Sequence, residues 1–184
     1  MASTTTTTKP ESHLKARPLA LGAARWTGGG FWADRFEQCR KVMVPTMGRL
    51  MTETERYKYL GNFEVALGLV EGRHRGPKWN DGDMYKWMEA AAALLAFQKD
   101  ERLAAEIDQI TALISKTQEA DGYIHTDVQI AQRAGQDLPR FGNPMDFEMY
   151  NMGHLISAAC VHFAATGKTN LLDAARKAAD YLAK

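Results

Sequence analysis

This sequence predicts an all-α fold, an array of helical hairpins of the kind that closes into an α/α toroid. Three observations carry that prediction. A pair of amphipathic helices occurs twice, apolar residues recur at intervals of three and four, and no strand pattern follows Gly30. The repeat is clearest where Met84-Tyr85-Lys86-Trp87 is set above Met149-Tyr150-Asn151-Met152. Each run opens an Ala-rich helix that reaches Phe97 or Phe163, breaks at a polar turn and restarts as a second amphipathic helix. The breaks are Gln98-Lys99-Asp100 and Thr166-Gly167-Lys168. An offset of about 65 residues suits two helices with their loops. Inner helices of a toroid line a cleft, so polar residues at their starts are candidate ligand contacts.

The elements follow in order. Residues 1–25 read as a disordered leader, with its Thr4 to Thr8 run, followed by a short extended segment at Leu19-Ala20-Leu21-Gly22. Gly28-Gly29-Gly30 gives a flexible bend, and a helix starting near Trp32 runs toward Leu50, limited or kinked by Pro45. A second helical stretch covers Phe63 to Leu69, and Gly72 to Pro77 is a loop. The next helix starts at Asp81 or Asp83, either a suitable cap, and carries Met84, Trp87, Met88, Ala91, Leu94 and Leu95 as a buried stripe. Asp100 caps its partner, whose apolar face is Leu103, Ile107, Ile110 and Ile114. Asp121-Gly122-Tyr123 is a turn, and His125 to Asn143 reads as a long loop. The second pair spans Asp146 to Lys184, which is still helical in pattern at its last residue and so suggests an array cut short.

Composition narrows the function classes. The chain has 184 residues and a net charge of +1, with no Lys/Arg cluster, so a nucleic-acid footprint is absent. No apolar run reaches the roughly 20 residues of a membrane helix. Two cysteines, Cys39 and Cys160, form neither a disulfide framework nor a zinc knuckle. Cys160 in Ala158-Ala159-Cys160-Val161 is expected to be a small buried hydrophobe, whereas Cys39 fits a buried or a surface position. The start lacks a secretory pattern, and a cytoplasmic setting is expected.

Two clusters carry candidate chemistry. In Glu148-Met149-Tyr150-Asn151-Met152-Gly153-His154, helical spacing puts Tyr150 and His154 on one face. Glu148, Tyr150 and His154 near a helix start suit hydrogen bonding to a polyhydroxylated ligand. The plainer alternative is a helix-start charge and a satisfied core histidine. Gly153 lowers helix stability by about 1 kcal/mol relative to Ala, which close packing or ligand approach would explain. In Trp79-Asn80-Asp81-Gly82-Asp83, an indole beside carboxylates is a common way to hold a sugar, with capping as the alternative. Candidate substrate contacts are therefore Trp79, Asp81, Asp83, Glu148, Tyr150 and His154. Two carboxylates are the usual requirement for glycoside hydrolysis, and Asp81 or Asp83 with Glu148 is one candidate pairing, whose separation the sequence does not give. His125 and His162 read as structural or exposed. No phosphate loop, nucleophile elbow or HExxH motif is present.

Gly30-Phe31-Trp32, Asn62-Phe63, Asp83 with Lys86-Trp87, Gln118 to Ile124, Glu148 to Leu155, and Ala165-Thr166-Gly167-Lys168 before Leu171-Leu172-Asp173 occur in one order. In that order and spacing they resemble glycoside hydrolase family 127, whose type activity is β-L-arabinofuranosidase. The resemblance covers the chain after about Trp26. It implies that residues 26–184 are the N-terminal portion of an (α/α)6 barrel that hydrolyses terminal sugars with retention of configuration. It also implies a cysteine nucleophile held with zinc by further cysteines and a glutamate, all downstream of the matched region. Neither Cys39 nor Cys160 inherits that role, so no catalytic residue, metal ligand or cofactor is expected in this chain, and zinc only in an intact parent. Family members commonly carry His where this chain has Phe147, which bears on sugar specificity.

Six hairpins of about 60 residues need some 350, roughly twice this chain, so the resemblance implies a piece that is inactive by itself. The rival reading is a non-catalytic helical-repeat module that binds a glycan or a protein. An uncapped apolar edge between Asn170 and Lys184 would then favour self-association. A third reading is a diverged enzyme using Asp81, Asp83 and Glu148.

Overall fold

The structure, a computed structural model, describes residue 16 and residues 19–53 and 59–184. The leader expected before residue 16, with residues 17 and 18, lies outside them. At Leu21-Gly22 the chain turns rather than extends, with Ala23 N–H donating to Ala20 O at 3.0 Å. Gly22 has φ +74° and lies so close to the backbone of Ala96 that a Cβ would sit 2.2 Å from its oxygen.

Helix α1 (Phe31–Gln38) passes through a π turn (Cys39–Met43) into α2 (Val44–Glu53). Pro45 explains the turn. It offers no N–H to Lys41, and its ring would strike that carbonyl in a regular helix. The wider turn, closed by Val44 N–H to Cys39 O, accommodates it without ending the helix.

Three inner–outer pairs follow. Helix α3 (Tyr59–Leu67) packs beside α2, α5 (Glu101–Thr117) returns beside α4 (Asn80–Leu95), and α8 (Asn170–Leu182) returns beside α7 (Glu148–Thr166). Helices α2, α4 and α7 are neighbours in one layer, and α3, α5 and α8 in the other. That adjacency is the order of an α/α toroid. The repeat revealed the second and third pairs. The first is harder to read, because its helices are short and carry Gly48 and Gly61.

The core lies between the layers. Phe63, Met84, Met88, Ile107, Ile114, Met152, Leu155 and Leu171 are fully buried within it. Helix α4 is covered by α2, α3, α5 and α7, so Tyr85, Ala91, Ala92 and Leu94 are buried too. Trp87 spans to α2, where its Nε1–H donates to Val44 O at 2.9 Å and its ring faces Gly48. Asp100 caps α5 as expected, accepting from Leu103 N–H at 3.0 Å. Lys168 Nζ reaches Asp108 at 2.6 Å and Gln118 Nε2 reaches Ala174 O at 2.9 Å, tying α8 to α5 and the turn after it.

Four expectations are corrected. The segment from His125 to Asn143 is not all loop, because α6 (Thr126–Arg133) occupies its first half. Its buried face is polar, so apolar periodicity does not betray it: Thr126 and Gln129 are buried, and Gln129 bonds to His125 N–H and Thr117 O. Cys160 is exposed, because α7 carries apolar residues on more of its circumference than its main neighbours α4 and α8 cover. Met149, Gly153, Ser157, Cys160 and Phe163 form its uncovered stripe. A Cβ on Gly153 would meet nothing within 4 Å, so helix packing does not explain that glycine. The apolar edge is accordingly on α7 and not over Asn170–Lys184, where Leu171, Ala174, Ala175 and Ala178 are buried and Asp173, Arg176, Lys177 and Asp180 face outward. His125 and His162, expected to be structural or exposed, are both buried, in keeping with the first alternative.

Candidate functional site

The starts of α4 and α7 meet through Asn151. Its Oδ1 accepts Gly82 N–H at 2.9 Å, and its Nδ2 donates to Lys78 O at 2.9 Å. Only glycine fits at position 82, since a Cβ there would lie 2.5 Å from Asn151 Oδ1 and 3.0 Å from the Tyr150 ring. Neither Asp81 nor Asp83 caps α4. The residue before the helix is Trp79, and no side chain bonds to the first turn as a cap.

Asp81 is 2 % exposed and turns inward, accepting from Thr126 N–H at 2.7 Å and Thr126 Oγ1–H at 2.6 Å. It thereby fastens the start of α6 beneath α4. Glu148 is 3 % exposed and accepts from the Tyr123 hydroxyl and from Phe141 N–H, the latter at 2.6 Å. Burial, followed by the Glu148 carboxylate, pushes the Tyr123 phenol far up, so it stays protonated and donates. Asp146 is buried against Lys78 Nζ, and Asp127 lies 3.8 Å from that nitrogen and 3.5 Å from His74 Nδ1. Burial lowers the His74 pKa, with Asp81 and Asp127 opposing it.

The accessible surface is different in character. Trp79, 41 % exposed, contacts Phe147 at 5.1 Å between ring centroids. Phe147 contacts Tyr150 at 5.9 Å, and Tyr150, 40 % exposed, contacts His154 at 4.5 Å. Lys86 Nζ donates to Tyr150 Oη at 2.9 Å and pairs with Asp83 at 2.5 Å. Burial opposes the Lys86 charge, yet Asp83 and Tyr150 outweigh it and hold the ammonium above its ordinary range. The result is a row of rings with an ionic and hydroxyl group at one end.

The structure thus brings Trp79, Tyr150, His154 and Asp83 to one surface and turns Asp81 and Glu148 beneath it. Sequence reasoning did not select Lys86 or Asn151 as site residues. Lys86 was legible, because it lies three residues after Asp83 on the same helix. Asn151 was not, because its partner Gly82 lies 69 residues away. The surface can bind a ring by stacking and hydroxyls by hydrogen bonds. Acid–base work is poorly served: both oxygens of Asp81 and of Glu148 are occupied, and Asp83 is bound to a lysine.

Zinc does not fit these residues. Among the described residues no three or more His, Cys, Asp or Glu side chains are grouped to hold a metal, and Cys39 and Cys160 are free thiols on separate helical segments.

Residues 23–184 match the β-L-arabinofuranosidase GH127 catalytic domain. The chain is 40 % identical over 169 residues to the non-reducing end β-L-arabinofuranosidase of Bifidobacterium longum subsp. longum, covering 83 % of this chain and 26 % of that protein. A crystal structure of the GH127 β-L-arabinofuranosidase Ara127N-Se from Geobacillus stearothermophilus T6 superposes with a TM-score of 0.75 at 31 % identity, over 83 % of this chain and 24 % of that one. The GH127 β-arabinofuranosidase BT3674 gives 0.76 at 32 % identity, over 89 % and 26 %. The chain therefore spans about a quarter of the length of these relatives. With the toroid order of its helices and a match over nearly its whole described length, this chain belongs to glycoside hydrolase family 127.

Proposed function

We propose that this chain forms a sugar-contacting wall of a β-L-arabinofuranosidase-type hydrolase, and that the bond-breaking groups reside on polypeptide outside it. The observation that carries this reading is the row Trp79–Phe147–Tyr150–His154, set across the paired starts of two inner helices. In this reading Tyr150, His154, Lys86 and Asp83 take hydroxyls of a terminal sugar, while Asp81 and Glu148 position the loops behind them. Zinc and a thiolate nucleophile then belong to the remainder of the intact enzyme, which hydrolyses the glycosidic bond with retention. The purified chain is expected to release no sugar from an aryl arabinofuranoside, yet to show sugar-dependent NMR shifts at Trp79 and Tyr150. Turnover above the blank would overturn the division of labour. Unmoved signals at saturating sugar would overturn the contact.

The exposed stripe of α7 favours a second reading, in which the chain is a binding module that also meets copies of itself. Light scattering separates the two: a monomer across concentrations removes self-association, and Phe163→Glu is expected to dissociate any dimer built on the stripe.

A further inference from the structure

The two ends of the row of rings differ in chemistry. Toward α4 and the middle of α7 lie the Tyr150 hydroxyl, Lys86, Asp83 and the His154 imidazole. The other end is Trp79 against Phe147, and the Phe147 ring carries no hydrogen-bonding atom. Phe147 is also one of two described non-glycine residues with positive φ, at φ 62° and ψ 20°. That conformation is uncommon for a bulky side chain and persists only where its surroundings impose it.

Here they do. The neighbours on both sides, Asp146 and Glu148, are buried carboxylates, pinned by Lys78 and by Tyr123 with Phe141 N–H. Phe147 N–H donates to Pro144 O at 3.3 Å, and Phe147 O accepts Asn151 N–H at 2.9 Å to begin α7. Two buried acids and a helix start thus force the left-handed turn, which throws the Phe147 ring across to Trp79. A left-handed residue maintained by this much structure points to a use for its side chain.

Resting on the sugar-contact reading above, we infer that Phe147 with Trp79 forms an apolar subsite for the group next to the terminal sugar. Its ligand class is an aryl aglycone, or a neighbouring sugar presenting its C–H face. A hydroxyl laid on Phe147 would lose water and gain no partner, whereas a C–H face or an aromatic ring keeps its contact. Phe147 is therefore a specificity-determining residue for the aglycone, while the polar end serves the terminal sugar.

The test compares methyl and phenyl β-L-arabinofuranoside, titrated into the full chain and followed by Trp fluorescence and NMR. Phe147→Gly and Phe147→His are the variants, since both residues tolerate positive φ and keep the backbone. The chain is expected to bind the phenyl glycoside roughly three- to tenfold tighter than the methyl glycoside, a gain in keeping with one aromatic contact. Phe147→Gly removes that gain, so that the two glycosides bind alike, and Phe147→His keeps part of it. Equal affinity for the two glycosides in the unaltered chain, or a phenyl gain that survives Phe147→Gly, overturns the inference and leaves the sugar contact standing. Binding of neither glycoside overturns the sugar-contact reading itself, and this inference with it.

Discussion

Asn151 on α7 holds Gly82 N–H on α4 at 2.9 Å, and with its other arm holds Lys78 O at 2.9 Å. One buried amide thus fixes where two inner helices begin, and so where the aromatic row lies. Asn151→Ala leaves a buried N–H and a carbonyl without that partner, which costs about 1–3 kcal/mol. Gly82→Ala attacks the same joint from the other side, because its methyl meets Asn151 Oδ1 and the Tyr150 ring. Urea unfolding of both variants is expected to show lower midpoints, with Gly82→Ala also shifting the Tyr150 and Lys86 resonances. Unchanged midpoints would mean the two helix starts are held together by apolar packing alone.

Asp81 yields a second prediction, because its carboxylate faces α6 and no solvent. Asp81→Ala strands the Thr126 N–H and hydroxyl, two donors to a charged acceptor, and is expected to cost about 2–3 kcal/mol. The loss is local. Hydrogen exchange at Val128 to Arg133 is expected to accelerate more than exchange at Ile107 to Ile114. Uniform acceleration of both segments would show instead that α6 and α5 open together.

These two residues also mark how far the sequence could be read. The hairpins of α4–α5 and α7–α8 were legible because Met84, Met88, Ile107, Met152 and Leu155 keep helical spacing and bury it. Helix α6 was hidden because Thr126 and Gln129 are buried through hydrogen bonds, a pattern indistinguishable in sequence from a polar loop. Asp81 looked like a cap because its true partner lies 45 residues onward. Cys160 looked buried because it stands in the apolar run Ala158-Ala159-Cys160-Val161, and sequence cannot tell which side of α7 a neighbour covers. The aromatic surface was half legible: Trp79, Tyr150 and His154 stand in plain motifs, but the ring of Phe147 joins them only through a left-handed turn.

Acid sensitivity follows from two imidazoles drawn away from water, half-buried His74 and buried His162. Burial lowers the pKa of His74 and of His162 from the ordinary 6.5, with Asp81 and Asp127 opposing at His74 and Asp108 at His162. His125 and Lys78 push His74 further down, and Lys168 does the same to His162. The unfolded chain therefore takes up protons near pH 6.5 that the folded chain refuses. Stability from these groups is complete above that pH and is lost as pH falls toward the lower folded values. Urea midpoints at pH 8 and pH 5.5 are expected to differ, and His162→Gln to narrow the difference. A flat profile between those pH values would show that both imidazoles reach solvent.

Thiol chemistry reports on the open side of α7. Cys160 is exposed on the stripe with Met149, Gly153 and Phe163, whereas Cys39 is half-buried in the π turn against the core. Access governs the rate when neither thiol is held in a metal or charge cluster. Ellman's reagent is expected to give a fast phase from Cys160 and a slower one from Cys39, and Cys160→Ser to remove the fast phase alone. The same assay reads the stripe's occupancy. If α7 meets a second copy of the chain, raising the protein concentration slows the Cys160 phase and leaves the Cys39 phase unchanged, and Phe163→Glu restores the fast rate. A Cys160 rate independent of concentration leaves the stripe open in solution and excludes that contact.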